Sequence, residues 1–152
     1  MEKKHIKSLV SKTLVLLFAL AWILTVSPAQ AKEPWMFDDI VDVDFVISKI
    51  SVPMDEDVMI IDARPYKPKY TKGFIPGAVS IPFSEFDKKT QLLPENKNAL
   101  LIFYCGGVKC KLSHKSAKKA VALGYTNVKV FAKGFPEYKK QPGAYPAVTA
   151  EY

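Results

Sequence analysis

Apolar residues in this chain come in short runs separated by longer polar stretches. "VMIID" (58–62), "AVSIP" (78–82), "ALLIFY" (99–104) and "VKVFA" (128–132) are nearly continuous apolar runs. Runs of that length without strict alternation mark strands buried on both faces. "VDVDFVISKI" (41–50) fits a short helix, or a strand that runs into one. Residues 53–57 form a polar break. "RPYKPKYTKG" (64–73), with its two prolines, reads as a loop. "SEFDKKTQLL" (84–93) suits a helix capped by Ser84 and stopped at Pro94. Residues 112–123 have helical periodicity: Leu112, Ser116, Ala117, Ala120 and Val121 fall on one face, and Lys111, Lys115, Lys118 and Lys119 on the other. "FPEYKKQ" (135–141) predicts a last short helix, followed by a loose proline-rich tail (142–152). No internal repeat is visible. Buried strands alternating with helices predict an α/β fold with a parallel or mostly parallel sheet covered on both faces.

The first 31 residues stand apart. A start carrying Lys3, Lys4, Lys7 and Lys12 leads into the uncharged stretch "TLVLLFALAWILTV" and then into "SPAQA". A basic start, a short apolar stretch and small residues at Ala29 and Ala31 predict a secretory signal peptide cut after Ala31. The expected product is exported, to the periplasm in a bacterial cell, with no stable membrane span after cleavage. Residues 32–42 then form a lead-in, and 43–141 the domain proper, long enough for one core without staples. Removing the signal segment takes away four lysines and Glu2, so the net charge falls from +7 to +4. The remaining lysines are scattered among acids. Nucleic acid is therefore not the expected partner, whereas a small anionic substrate is. The domain is expected to act as a monomer.

The chemistry concentrates in "LIFYCGGVKCKLSHKS" (101–116), which holds both cysteines, Cys105 and Cys110. Two cysteines are too few for a structural zinc site, and nearby His114 leaves the ligand count short. Their use is local and chemical. Ligands in open α/β sheets bind beyond the carboxyl ends of the strands, and Cys105 directly follows such an end. Gly106 and Gly107 permit positive φ angles, so successive N–H groups can turn inward as an anion-binding nest. The next helix points its positive end at the same space, and Lys109 and Lys111 add charge. This setting favours a thiolate over a thiol and pulls Cys105 below its free value of about 8.5. The expected nucleophile is Cys105, with Gly106, Gly107, Val108, Lys109, Cys110 and Lys111 around the substrate. His114 reads as an incidental surface residue, with lining the pocket as the alternative.

Several segments, taken in order, resemble a single-domain rhodanese, a sulfurtransferase, over about residues 43–140. "IIDAR" (60–64) is similar to that family's strand ending in Asp-x-Arg. "KGFIPGAVSIP" (72–82) is similar to its Gly-His-Ile-Pro-Gly-Ala segment. "LIFYCGG" is similar to the strand that enters its catalytic cysteine loop, and "SAKKAVALGYTNVKVFAKGFPEY" (116–138) to its last helix, last strand and closing motif. The resemblance implies a rhodanese-like fold with a five-stranded parallel sheet and helices on both faces. It implies that Cys105 takes a sulfane sulfur from a donor such as thiosulfate, holds it as a persulfide and passes it to a thiol or cyanide. No metal or organic cofactor is implied. Asp62 and Arg64 are then structural. Four features depart from the family pattern. Phe74 stands where histidine is usual, and Lys69 near where a glutamate commonly meets the arginine. Ala132-Lys133-Gly134 replaces paired glycines. The loop from Cys105 to Ser113 is two residues longer than the common form and carries the second cysteine.

Three other readings compete. A phosphatase would also place a cysteine in an anion-binding loop, but Lys111 stands where it needs arginine, and lysine cannot grip an oxyanion at two points. A thiol-redox or sulfur-carrier protein would open and close a Cys105–Cys110 pair. An inactive interaction domain has no need of Cys105.

Overall fold

The structure, a computed structural model, describes residues 33–142. The expected signal segment and the tail from 143 onward lie outside the described residues. Four parallel strands form the sheet: β1 (Val58–Asp62), β2 (Val79–Ser80), β3 (Leu100–Tyr104) and β4 (Val128–Phe131), in the order β2-β1-β3-β4. In register, Asp62 lies beside both Ser80 and Tyr104, and Tyr104 beside Phe131. The carboxyl ends therefore line up, and the segments that follow them gather at one edge.

The expected fifth strand is reduced to a single bridge. Ile40 pairs in parallel with Val130, supported by Val41 N–H to Val130 O (3.0 Å) and Val130 N–H to Asp39 O (2.9 Å). Extension is cut off because helix α1 (Val43–Ser48) starts almost at once. The Asp42 carboxylate caps it by accepting from Phe45 N at 2.9 Å, a contact worth about 1 kcal/mol.

Alternation along the strands divides the core in two. Ile60, Leu100, Ile102 and Tyr104 point to the face covered by Val43 and Val46 of α1 and by Phe135 and Tyr138 of α4 (Gly134–Tyr138). Ile61, Leu101, Phe103, Val128 and Val130 point to the other, against Ala117 and Ala120 of α3 (Leu112–Ala122) and against Phe86. All five β3 positions are buried, as a doubly covered central strand requires. Each such apolar side chain contributes about 1.5–3 kcal/mol by leaving water.

Three local expectations change. The stretch 84–93 is not an α-helix but two 3₁₀ segments, Phe83–Lys88 and Thr90–Leu92, with no side-chain cap from Ser84. It buries only Phe86 and Leu93 while Leu92 stays exposed, too few anchors for a continuous apolar stripe. The supposed loop after Arg64 holds a one-turn helix α2 (Tyr66–Lys69) that runs into a 3₁₀ turn (Tyr70–Lys72). The rings of Tyr66, Tyr70 and Phe74, each four residues apart, stack along it. The buried stripe of α3 is rotated from the expected one: Ser113, His114, Ser116, Ala117 and Ala120 are buried, whereas Val121 is exposed.

Candidate active site

The loop from Cys105 to Lys111 leaves the carboxyl end of β3 and enters α3. Gly107, at φ +120°, reverses its direction. Cys110 N–H then donates to Gly107 O at 2.8 Å and closes a tight turn. This turn folds Cys110 back over Cys105. The Cys105 thiol donates to the Cys110 carbonyl at 3.3 Å, lies 3.1 Å from Ser113 Oγ and is within hydrogen-bond reach of the Cys110 thiol. Cys105 has no exposed surface, while Cys110 is half-buried.

Of the two glycines expected to turn N–H groups inward, only Gly107 has a positive φ, and two sulfurs meet at the loop. Backbone N–H groups lower the pKa of each sulfur: that of Ser113 for Cys105, and those of Gly106 and Leu112 for Cys110. Two of these donors belong to the first turn of α3, where helix N–H groups have no partner of their own. One negative charge is shared across the pair, because two thiolates in contact repel each other. The hydrogen bond from Cys105 draws Cys110 down to about 6, helped by the Gly106 and Leu112 N–H groups and opposed by burial. That same contact, followed by burial, pushes the Cys105 thiol up, against the pull of Ser113. The Gly107 turn thus brings Cys110 into the surroundings that the sequence assigned to Cys105 alone.

A cavity of about 710 Å³ opens beside the pair. Gly106, Gly107, Val108, Lys109 and Cys110 line it as expected, and Lys133, Pro136, Glu137 and Lys140 complete the wall from the α4 side. Three lysines face one glutamate, and that glutamate lies 4.0 Å from Lys133 and 3.6 Å from Lys140. Lys111 is not among the lining residues; its ammonium stands 5.0 Å over the Trp35 ring. Lys133, Glu137 and Lys140 were not anticipated as site residues, although the exchange of a glycine for Lys133 was visible. A smaller cavity of about 240 Å³ lies among Arg64, Pro65, Lys69, Gly106, Cys110, Leu112 and Pro136. Among the described residues no cluster of three or more His, Cys, Asp or Glu is arranged for a metal ion.

Beneath the loop, buried polar groups tie the strand ends together. Arg64 pairs with Asp62 (Nη2–Oδ2 2.5 Å), donates to Gly73 O at 2.8 Å and lies over the Phe135 ring at 4.3 Å. The arginine thus finds its carboxylate two residues back. Tyr104 O–H donates to Asp62 Oδ2 at 2.7 Å and accepts from Ile75 N at 3.2 Å. Burial, with the adjacent carboxylate, pushes the Tyr104 phenol well above its ordinary value, so it remains a donor. These bonds place Asp62 and Arg64 in a buried network beneath the cysteine loop.

His114 is not a surface residue. It is buried, its Nδ1 accepts from Phe37 N at 3.1 Å, and its ring meets Trp35 edge-on at 5.1 Å. Neither cavity includes it among its lining residues. With Lys118 donating to Pro34 O at 2.6 Å, these contacts fasten the lead-in to α3.

Comparison with known proteins follows the same outline. The model of the family described as "Rhodanese-like domain" matches residues 50–141. A rhodanese domain-containing protein of Drosophila melanogaster is 31% identical over 105 residues, which cover 60% of this chain and 91% of that protein. A rhodanese-like domain from Anabaena superposes with a TM-score of 0.60 at 19% identity, over 75% of this chain and 81% of that one. The human single-domain sulfurtransferase superposes with a TM-score of 0.56 at 20% identity, over 70% of this chain and all of that one.

Proposed function

The chain belongs to the rhodanese-like domain family, and we propose that it is a sulfurtransferase that moves a sulfane sulfur through a persulfide on Cys105. One observation carries the reading: a cysteine at the carboxyl end of the central strand meets inward N–H donors beside a lysine-lined cavity. The cavity's charge suits a small anionic donor such as thiosulfate. In the reduced state the Cys110 sulfur covers Cys105, so a donor reaches Cys105 when Cys110 turns out into the cavity it lines. Cys105 gives its proton to the Cys110 thiolate and attacks the outer sulfur of thiosulfate. The donor's S–S bond breaks, and sulfite leaves with the electron pair. The N–H groups of Gly106 and Leu112, vacated by Cys110, then hold the transferred sulfur. Splitting one transfer into two covalent steps lowers each barrier. A thiol or cyanide attacking that outer sulfur completes the transfer.

The test is intact-protein mass spectrometry after brief exposure of reduced protein to thiosulfate. Cys110→Ser should gain the mass of one sulfur, and Cys105→Ser/Cys110→Ser should gain none. Absence of the adduct from Cys110→Ser, with no sulfite released, would remove the reading.

A further inference from the structure

The sulfurtransferase reading uses the second cysteine only as a proton acceptor that moves aside. Cys105 has no exposed surface, and Cys110, already against it, is the thiol best placed to reach its inner sulfur. Its backbone carbonyl already accepts from the Cys105 thiol at 3.3 Å, and the two thiols are within hydrogen-bond reach. Gly107 holds it there through the closed turn. Cys110 is also the cysteine that lines both cavities. A sulfur transferred to Cys105 would enter the space between Cys105 and the cavity where Cys110 stands, so Cys110 and the outer sulfur compete for one place.

Resting on the sulfurtransferase reading, we propose that Cys110 is the resolving thiol: its sulfur attacks the inner sulfur of the Cys105 persulfide, forms a Cys105–Cys110 disulfide and expels hydrosulfide. The Cys110–Cys105 S–S bond forms as the bond between Cys105 and the outer sulfur breaks. The electron pair leaves on the outer sulfur, which is reduced to sulfide while the two cysteines are oxidised to a disulfide. A Cys110 thiolate and a protonated persulfide give disulfide and HS⁻ with no proton left over. The six-residue segment from Cys105 to Cys110 is already folded so that the two residues meet, as disulfide geometry demands. Each further cycle then requires a dithiol reductant to reopen the pair, by thiol exchange at the half-buried Cys110.

The experiment follows sulfite and sulfide separately. Fully reduced protein, freed of small thiols, receives one equivalent of thiosulfate. Wild type should release one sulfite and one sulfide per chain, lose both titratable thiols and yield a Cys105–Cys110 disulfide peptide. Cys110→Ser should release one sulfite, keep the persulfide and give sulfide only after dithiothreitol is added. Sulfite from both proteins with sulfide from both, or with a stable persulfide in both, would overturn this inference and leave the sulfurtransferase reading standing. No sulfite from either would remove both.

Discussion

Gly134 is where the chain most directly controls the cysteine loop. Its φ is +65°, and a Cβ built there would lie 2.3 Å from Cys105 O, 2.9 Å from Gly107 N and 3.0 Å from Cys105 C. All three are backbone atoms, so no side chain can swing aside. Ordinary contact begins near 3.4 Å, so Gly134→Ala must separate α4 from the Cys105 carbonyl by about 1.1 Å. That carbonyl accepts from Phe135 N at 3.0 Å, and the separation breaks the bond. The left-handed backbone costs about 1–2 kcal/mol, the overlap about 1–3 and the lost hydrogen bond about 0.5–1.5. The total is about 2.5–6.5 kcal/mol, a large part of a domain's usual ~5–15. Gly124→Ala is the matched control: φ is +91° there, but nothing lies within 4 Å of the added carbon, so only the backbone cost of about 1–2 kcal/mol applies. Urea unfolding should show Gly134→Ala losing at least ~1.5 kcal/mol more than Gly124→Ala. Single-turnover sulfite release, normalised to folded protein, should fall about 100-fold in Gly134→Ala, as a 1 Å misplacement of reacting groups does. Gly124→Ala should stay near wild type. Equal stability losses, or a folded Gly134→Ala releasing sulfite at the wild-type rate, would refute the reasoning.

Tyr104→Phe leaves Ile75 N–H unpaired and removes a donor to the buried Asp62 carboxylate, so denaturant unfolding should show a loss of about 2–4 kcal/mol. An acid whose pKa is lowered is deprotonated above the lowered value, so iodoacetamide alkylation of the wild type should rise through about pH 6 as Cys110 ionises. In Cys105→Ala that rise should move to higher pH, because the chief lowering contact is gone. In Cys110→Ala the Cys105 thiol should titrate lower than in wild type, because its chief raising contact is gone. Lys109→Gln, Lys133→Gln and Lys140→Gln should each raise the KM for thiosulfate by about 1.5–5-fold, from ~0.2–1 kcal/mol per exposed charge, and added salt should shrink the difference. Lys111→Gln, at the ammonium over Trp35, should change KM less.

Much of the architecture is written locally. Strands 58–62, 99–104 and 128–132 were legible because a doubly covered strand must be apolar on both faces, which a short window of sequence reveals. The end of β3 at Cys105 was legible for the same reason: the run "ALLIFY" stops where "CGG" begins. So were the long helix from Leu112 and the cluster Gly106 to Cys110 around the cavity. The length of β2, the 3₁₀ segments and the lost fifth strand were not. Each depends on how many residues find a partner, and partners lie far along the chain: Ile40 meets Val130, and Ile75 meets Tyr104.

The site divides along the same line. Residue types and spacing determined that a cysteine follows the central strand, with glycines, lysines and a second cysteine close behind. The tertiary structure decided that the two sulfurs meet and share one charge. A single turn at Gly107 folds Cys110 over Cys105 and leaves Cys105 under cover. It also decided that Lys133 and Lys140 face the cavity while Lys111 stands over Trp35, and that His114 is buried against a lead-in bonded to it across 77 residues. Burial patterns and helical periods repeat within a few residues and can be read directly. Hydrogen-bond partners and charge environments are sums over neighbours that only the folded chain brings together.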